Sequence, residues 1–360
     1  MNVLLTLYIA FATLVFLFLL SLDVMSFRRR TEPDYTMRSF EPKALVIVPC
    51  RGRDLTLRKN LGSIKNQKYG AYGVVAVVDA KDDESVSTIK DLGIDLLVSE
   101  KLIGMASGKM SAILCALKRH RDYAIYVVAD SDIEVDRLWL KRLVAPLSDK
   151  KIGISTMFPY FNPVGGFWSK VKLVWGFVGE SLLESPSSRF GWGGSLAFRK
   201  SLIDKWFINL ATRSRYALSD DICITKAAKR KRLVIAYTKL SQPKVNSDED
   251  FGRFFEWSNR QTALTLLGYR RNLYSGLVYY SSEIVVLLSG VFLSLVASPI
   301  FIIFLAHSMR SIVKTYVRAK RPDPSIALIT LMMPFVYLQN LLIANSMSEI
   351  RWRGRSYPLK

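Results

Sequence analysis

Residues 123–132 read YAIYVVADSD, an apolar run that ends in two carboxylates one residue apart. Continuous Val- and Ile-rich runs of this length are typical of parallel strands that are buried on both faces. Segments with helical spacing, such as 54–67 and 109–121, separate these runs. The alternation predicts a doubly wound α/β sheet, mostly parallel, with ligands bound beyond the carboxyl ends of its strands. The predicted strands are ALVIVPC (44–50), GVVAVVD (73–79), IDLLVSE (94–100), YAIYVVAD (123–130) and IGISTMF (152–158).

The pair Asp130 and Asp132 is the strongest local signal for chemistry. At the carboxyl end of a strand, two such carboxylates can reach one hard divalent cation. A cation of this kind neutralises a diphosphate leaving group. Acidic turns after strands are common, and it is the strand-end position that favours a metal site. The only histidines are His120 and His307, so carboxylates must carry any acid–base chemistry.

Two further positions favour the binding of a nucleotide. Asp79 ends the second predicted strand, where a carboxylate can accept hydrogen bonds from a base or ribose; a solvated turn is the alternative. Lys109 follows a turn, Gly104 to Gly108, that opens a helix, and a helix N-terminus beside a lysine suits phosphate. The turn is not a Walker A motif, because the register of that motif fails at Met110. A plain helix start is therefore equally compatible with this turn.

Glycines and acids later in the chain are candidates for the sugar side of a site. Gly193 and Gly194 allow the backbone to approach a ligand closely, and Trp192 offers a flat wall on which a sugar can stack. A structural loop is the alternative for this cluster. Ser219, Asp220 and Asp221 precede a helical run, where Ser219 or Asp220 as an N-cap is the ordinary interpretation. The functional interpretation makes one of these carboxylates the general base of an inverting displacement.

Residues 1–30 predict a membrane anchor. The apolar run 3–27 is long enough to span a hydrocarbon core of roughly 30 Å. No small-residue cleavage site follows it, which favours an anchor over a signal peptide. Arg28, Arg29 and Arg30 then place the following region in the cytoplasm by the positive-inside rule.

Residues 278–346 predict a C-terminal transmembrane region, with apolar runs at 284–306 and 326–344 that are each interrupted by a proline. Three spans would make the protein multi-pass and would leave the basic tail, 347–360, in the cytoplasm. The connection between the two runs is also basic, so its location outside would oppose the positive-inside rule. A re-entrant segment around Pro299 is the alternative, and the sequence leaves this choice open.

The formal charge of +21 fits an anionic lipid surface as well as nucleic acid. Hydrophobic segments are present, and no aromatic–basic strand motif of a nucleic-acid module occurs, so we expect a membrane and no nucleic acid as partner. The stretch 165–184, GGFWSKVKLVWGFVGESLLE, fits either an amphipathic helix in the membrane interface or a core helix of the domain.

The order of these pieces resembles the family 2 glycosyltransferases with a GT-A fold. The most similar branch is the membrane branch that contains ceramide glucosyltransferase and hopanoid-type lipid glycosyltransferases. The resemblance covers residues 43–265, and the tail SEIRWRGRSY (348–357) resembles a segment near the active site of membrane relatives. The motifs that carry it are PCRG, Asp79, Gly108-Lys109, Asp130-Ser131-Asp132, GGSLAFRK, Ser219-Asp220-Asp221 and Arg260.

For the donor, the resemblance implies a GT-A catalytic domain at 43–270 that binds a UDP- or GDP-sugar. Asp79 would contact the nucleotide, and Lys109 would lie near the donor. Asp130 and Asp132 would bind the donor diphosphate through Mg²⁺ or Mn²⁺.

For the acceptor, the resemblance implies a pocket formed with Gly193 and Gly194. Asp221 matches the second acid of the Glu-Asp pair of the family, which is the catalytic base, and Asp220 takes the place of the Glu. Arg260 retains the arginine of the Q-x-x-R-W motif and can pair with diphosphate, but the Trp that follows it in the family is Gln here. This departure weakens any argument for a polysaccharide synthase.

The sequence therefore predicts an integral membrane glycosyltransferase of the ceramide glucosyltransferase type. It would transfer a sugar with inversion to a lipid hydroxyl at the cytoplasmic membrane face, and it would need a divalent cation. One alternative is a polyisoprenyl-phosphate glycosyltransferase, whose phosphate acceptor needs little assistance from a base. Another is a basic, membrane-tethered binding protein in which the acidic motifs are only turns.

Overall fold

A computed structural model describes residues 3–27, 39–321 and 323–359. The arginines at 28–30, on which the predicted orientation of the anchor depends, lie outside these residues. The chain divides into two compact units. We call the first the helical unit, which comprises Met1–Thr31, Gly165–Phe177 and Glu249–Ser348. The second, the sheet unit, comprises Glu32–Val164, Val178–Asp248 and Glu349–Lys360.

The strands of the described residues all belong to the sheet unit. In chain order they are β1 (Ala44–Cys50), β2 (Tyr72–Val78), β3 (Asp95–Val98), β4 (Ile125–Ala129), β5 (Ile133–Glu134), β6 (Ile152–Thr156), β7 (Tyr160–Pro163), β8 (Ser195–Arg199), β9 (Val234–Tyr237), β10 (Lys244–Ser247), β11 (Glu349–Trp352) and β12 (Arg355–Pro358).

The helices are distributed over both units. In chain order they are α1 (Val3–Phe27), α2 (Leu57–Lys65), α3 (Val86–Asp91), α4 (Gly108–Arg119), α5 (Trp139–Val144), α6 (Phe167–Glu184), α7 (Lys205–Arg213), α8 (Asp220–Arg230), α9 (Phe251–Gly268), α10 (Arg271–Val296), α11 (Ala306–Ala319) and α12 (Ser325–Ser346). Short 3-10 helices cover Ala145–Ser148, Lys200–Leu202, Arg215–Leu218 and Pro299–Leu305.

The central sheet of the sheet unit has seven strands in the order β3-β2-β1-β4-β8-β6-β9. β8 runs antiparallel to both of its neighbours, β4 and β6, whereas the other pairs are parallel. All five predicted strands are present, and the sheet is mostly parallel as expected. Because β2, β1 and β4 are adjacent and parallel, their carboxyl ends meet at one edge, and this edge positions the candidate site.

The core of the sheet unit explains why the apolar runs become strands. β1 and β4 are buried along almost their whole length, as expected for strands that are covered on both faces. Large side chains fill the space beside them, including Met110, Tyr126 and Phe198, all of which are fully buried. The buried indole of Trp139 donates a hydrogen bond to Ser195 Oγ (2.8 Å), so its polar atom is also satisfied.

The helical unit contains, within the described residues, four helices that are long and apolar enough to cross a membrane: Val3–Met25, Arg271–Val296, Pro299–Ala319 and Ser325–Ser346. The predicted single run 284–306 is divided, because α10 ends at Val296 and a 3-10 helix begins at Pro299. Proline has no backbone N–H to donate, so it is suited to the first position of a new helix rather than to the interior of an old one. The basic connection predicted after this run is itself helical, since it forms α11.

Charged side chains join three helices of the helical unit. His307 on α11 contacts Asp23 of α1 (Nδ1 to Oδ2, 2.9 Å) and Glu283 of α10 (Nε2 to Oε1, 3.0 Å). Arg310 also pairs with Asp23. Ionisable groups inside apolar helices are costly unless they are paired with one another. The pairing explains how these charges are tolerated, and it holds α1 against α10 and α11.

The N-terminal half of α6 belongs to the helical unit. Trp168 stacks on Phe254 of α9, with ring centroids 5.7 Å apart. Trp175 is buried, and its Nε1 donates a hydrogen bond to Asn340 Oδ1 (2.8 Å). Of the two interpretations of this stretch, the contacts favour a core helix for its first half.

Candidate active site

The shared edge of β2, β1 and β4 collects charged side chains. Asp79 follows β2, Arg51 follows β1 and Asp130 follows β4. Arg51 Nη1 donates a hydrogen bond to Asp79 Oδ2 (2.9 Å). The predicted position of Asp79 and Asp130 at the carboxyl ends of the strands is thus the position that the structure gives them.

Lys109 links this edge to the acidic pair at the start of α8. Helix α4 begins at Gly108, and the Ser107 side chain caps it by accepting a hydrogen bond from Met110 N. Nζ of Lys109 lies 2.7 Å from Asp130 Oδ1 and 3.2 Å from Asp220 Oδ2. The sequence suggested phosphate as the partner of this lysine; in the structure its partners are two carboxylates.

The charge of Lys109 is held in a buried position. Its side chain is only 11% exposed. Burial opposes the charge, but Asp130, Asp220 and Asp221 outweigh this effect and raise the pKa of the Lys109 amine. The lysine therefore stays protonated and acts as a fixed cation between the two acidic motifs.

Asp220 and Asp221 occupy the first turn of α8. The N-cap is Ser219, whose side chain accepts a hydrogen bond from Ile222 N (3.3 Å), so neither aspartate is needed as the cap. Asp221 Oδ1 instead accepts a hydrogen bond from Gly193 N (2.6 Å). Burial and the adjacent Asp220 raise the pKa of the Asp221 carboxyl well above its ordinary value. Such a shift favours a carboxylate that takes up a proton readily.

The glycine cluster lies against both acidic motifs. A Cβ on Gly193 would lie less than 3.0 Å from both Asp220 Oδ2 and Asp221 Oδ1. A Cβ on Gly194 would lie 2.7 Å from Asp130 Oδ2 and would also overlap the ring of Trp192. The two glycines are therefore required by the close approach of backbone to carboxylates.

Replacement of Gly193 by Ala is expected to destabilise the protein by about 1–3 kcal/mol, the usual cost of forcing an extra methyl into packed surroundings. The new methyl would also push Asp221 away from the Gly193 N–H, so activity should fall with stability. Thermal unfolding of the purified variants measures the first effect. Gly62→Ala is the matched control, because nothing lies within 4 Å of its Cβ position on α2, and it should be neutral or slightly stabilising. Equal melting temperatures for Gly193→Ala and wild type would show that the contact is not tight.

Asp132 contributes its charge to the same edge. The nearby guanidinium of Arg353 has a raised pKa, because Asp54, Asp132 and Asp130 together outweigh the opposing effect of burial. Ser131, between the two predicted metal ligands, hydrogen-bonds the Asp54 carboxylate. Asp130 and Asp132 thus face a common region that also contains Asp54 and Arg353.

Comparison with known proteins identifies the family. The model of glycosyl transferase family 21 matches residues 5–360. The chain belongs to glycosyl transferase family 21. This confirms the prediction of a glycosyltransferase, although the motifs had resembled family 2. A search of curated protein sequences gives no significant match for this family 21 chain.

Two solved structures are similar to this family 21 protein. The mannosyltransferase PcManGT from Pyrobaculum calidifontis, in complex with GDP-Man and Mn²⁺, is 15% identical, with a TM-score of 0.57 over 94% of this chain and 96% of that one. Glucosyl-3-phosphoglycerate synthase from Mycobacterium tuberculosis, in complex with Mn²⁺ and UDP-Glc, is 14% identical, with a TM-score of 0.42 over 66% of this chain and 83% of that one. The first likeness confirms the predicted GT-A type of α/β fold.

The predicted diphosphate contact of Arg260 and the C-terminal tail of the family 21 protein lie in different units. Arg260 lies on α9 of the helical unit, half-buried, so its predicted contact with diphosphate stays a prediction. The hairpin β11–β12 brings Arg353, Arg355 and Tyr357 to the edge of the central sheet. The sequence motifs at residues 43–265 assign no role to these three residues, and only the resemblance of the tail segment 348–357 points to this location.

Proposed function

We propose that this chain transfers a sugar, with inversion, from a nucleoside diphosphate sugar to a lipid hydroxyl at the cytoplasmic face of a membrane. The observation that carries the proposal is the Lys109 bridge between Asp130 and Asp220. This bridge joins Asp130, one of the two proposed metal ligands, to Asp220, which is adjacent to the proposed base, Asp221. A donor bound at Asp130 and an acceptor bound at Asp221 would then meet within one site.

The residues of the site fit a divalent cation. Within the described parts of the chain, no group of three or more His, Cys, Asp and Glu side chains is arranged to hold a metal. A nucleotide-bound Mg²⁺ or Mn²⁺ does not need such a group, because one or two carboxylates complete a shell of phosphate oxygens and water. Asp130 and Asp132 would be those carboxylates. The bound cation would neutralise the charge that develops on the departing diphosphate.

The protein groups divide the remaining work. Asp221, held by Gly193 N, would remove the proton of the acceptor hydroxyl as its oxygen attacks the anomeric carbon. The bond from that carbon to the diphosphate oxygen would break on the opposite face, which gives inversion. Lys109 would hold Asp130 and Asp220 in place during the reaction, and Trp192 would offer its ring to the sugar.

The donor and acceptor classes have separate support. The mannosyltransferase that shares the fold was solved with GDP-Man and Mn²⁺, which supports a nucleotide sugar and a divalent cation here. The four apolar helices support a membrane location and hence a lipid acceptor. Asp221 is held in position by the Gly193 N–H and is suited to act as a base. A hydroxyl acceptor needs such a base, whereas a polyisoprenyl phosphate would not, so the site favours a hydroxyl acceptor.

Purified protein in detergent, supplied with a lipid extract and a panel of UDP- and GDP-sugars, tests the proposal. With Mn²⁺ we expect one donor to give a glycolipid of inverted anomeric configuration, identified by mass spectrometry and NMR. Chelation by EDTA should lower the rate by at least about 100-fold, since a Lewis acid on a diphosphate supplies several kcal/mol. Full activity in EDTA would contradict the metal, and a retained configuration would contradict the single displacement.

A further inference from the structure

The hairpin β11–β12 places side chains on the same edge of the sheet as the acidic motifs. Arg353 lies in the turn between the two strands, and it contacts the Asp54 carboxylate and the carbonyl oxygen of Arg51. Nη1 of Arg355 lies 3.2 Å from Asp79 Oδ2. These contacts join the hairpin to the residues that follow β1 and β2.

The third contact of the hairpin is at the start of α4. Tyr357 Oη accepts a hydrogen bond from Gly108 N (3.2 Å). A Cβ on Gly108 would lie 2.7 Å from Arg355 Nη1, so the arginine and the tyrosine meet at the same helix N-terminus. This end of a helix carries partial positive charge and favours an anion.

Both side chains have hydrogen-bonding capacity left for a ligand. The side chain of Arg355 is 29% exposed, so a ligand can reach its guanidinium. Its Nη1 atom is buried close to Asp79 but is not aligned for a hydrogen bond with any acceptor. Asp79 Oδ2 already accepts a hydrogen bond from Arg51. Tyr357 uses its oxygen as an acceptor, which leaves its O–H proton to be donated. A partly exposed guanidinium, a phenol O–H and a helix N-terminus are the groups that phosphate oxygens prefer.

We propose that the hairpin completes the donor site, and that Arg355 and Tyr357 bind the diphosphate of the donor. Arg353, paired with Asp54, anchors the hairpin in position. The inference rests on the proposed function, because it assigns these residues to the donor of that reaction. It also gives the edge a set of positive groups opposite Asp79, Asp130 and Asp132.

The test measures dissociation constants of UDP, GDP and inorganic pyrophosphate, each with Mn²⁺, for wild type, Arg355→Ala and Arg351→Ala. Arg351 is the matched control, because it is exposed on the same hairpin and pairs only with Glu349 of its own strand in the contacts seen. Arg355→Ala should weaken binding of the preferred nucleotide and of pyrophosphate by about 10- to 100-fold, the range for a lost charge-assisted hydrogen bond. Arg351→Ala should change neither by more than about twofold.

Tyr357→Phe supplies a second variant that preserves the size of the side chain. It should weaken binding of nucleotide and pyrophosphate by about 3- to 10-fold, the range for a neutral hydrogen bond. If Arg355→Ala lowers the affinity for nucleotide but not for pyrophosphate, the arginine acts only through Asp79 and the inference is wrong. Unchanged binding in both variants also overturns it, while the proposed function stands. If wild type binds neither nucleotide, the proposed function itself fails.

Discussion

Asp221→Asn is expected to lower the rate of sugar transfer by about 10²- to 10⁴-fold, the usual contribution of a general base. The amide oxygen of Asn can still accept the hydrogen bond from Gly193 N that Asp221 Oδ1 accepts at 2.6 Å, so the local structure should be retained. Donor binding should change little, because Asp221 is not among the groups proposed to hold the diphosphate. Steady-state rates with a saturating acceptor, together with the dissociation constant of the nucleotide, separate these two effects.

The stability of the same variant distinguishes catalysis from folding. The folded-state pKa of Asp221 is raised, so above the unfolded pKa its charge disfavours the folded state. Asn removes that charge, and we expect a melting temperature at neutral pH equal to or higher than that of wild type, with the difference shrinking as the pH falls. Asp91→Asn is a control on an exposed aspartate, 56% accessible, which should alter neither rate nor stability appreciably. Normal turnover by Asp221→Asn would remove the base assignment and would favour a phosphate acceptor.

Lys109→Met is expected to destabilise the protein by about 3–5 kcal/mol at neutral pH, the cost of leaving buried charges without their partner. The methionine fills a similar volume, but Asp130 and Asp220 lose the ammonium group that lies 2.7 Å and 3.2 Å from them. Without it, the folded-state pKa of Asp220, which burial already raises, rises further above its value in the unfolded chain. Protonation of Asp220 then relieves the cost, so the deficit should be largest above this folded-state pKa and should shrink as the pH falls.

Thermal unfolding of wild type and variant across a range of pH measures this deficit. Lys59→Met is the matched control: Lys59 pairs with Glu134 at 3.0 Å, but the lysine is 63% exposed, so water can replace it and its loss should cost only about 1 kcal/mol. A Lys109 variant as stable as the Lys59 variant at neutral pH would show that Lys109 is not the counterion of the buried acids. Because Lys109 joins the two acidic motifs, donor binding and transfer should also be lost in this variant.

Much of the sheet could be predicted because its signal is local. β1 coincides with the run ALVIVPC, and Asp79 and Asp130 follow directly after strands as expected. The antiparallel direction of β8 could not be inferred, since strand direction depends on pairing partners far apart in sequence. The run 284–306 is divided at Pro299, where a 3-10 helix begins. The sequence shows the proline, but the way in which the chain divides around it depends on packing.

The sequence pointed to the acids of the candidate site and to Lys109, but not to the contacts of this lysine or to the arginines of the hairpin. Lys109 was assigned to phosphate from its place at a helix start, but Asp220 lies more than a hundred residues away, and only the folded chain shows them together. Ser219 is the N-cap of α8, so the two aspartates that follow it are not needed for capping. Arg355 lies close to Asp79, which is more than two hundred residues earlier in the chain, and no short motif encodes such a contact.

We expect the donor diphosphate to bind beyond the carboxyl ends of β1, β2 and β4, held through a divalent cation by Asp130 and Asp132. An experimental structure with bound nucleoside diphosphate and Mn²⁺, with anomalous scattering to locate the manganese, tests this expectation. We expect one manganese peak within about 2.0–2.5 Å of carboxylate oxygens of this pair and of phosphate oxygens. Nucleotide bound elsewhere in the protein, or manganese bound away from both aspartates, would show that the donor site lies elsewhere.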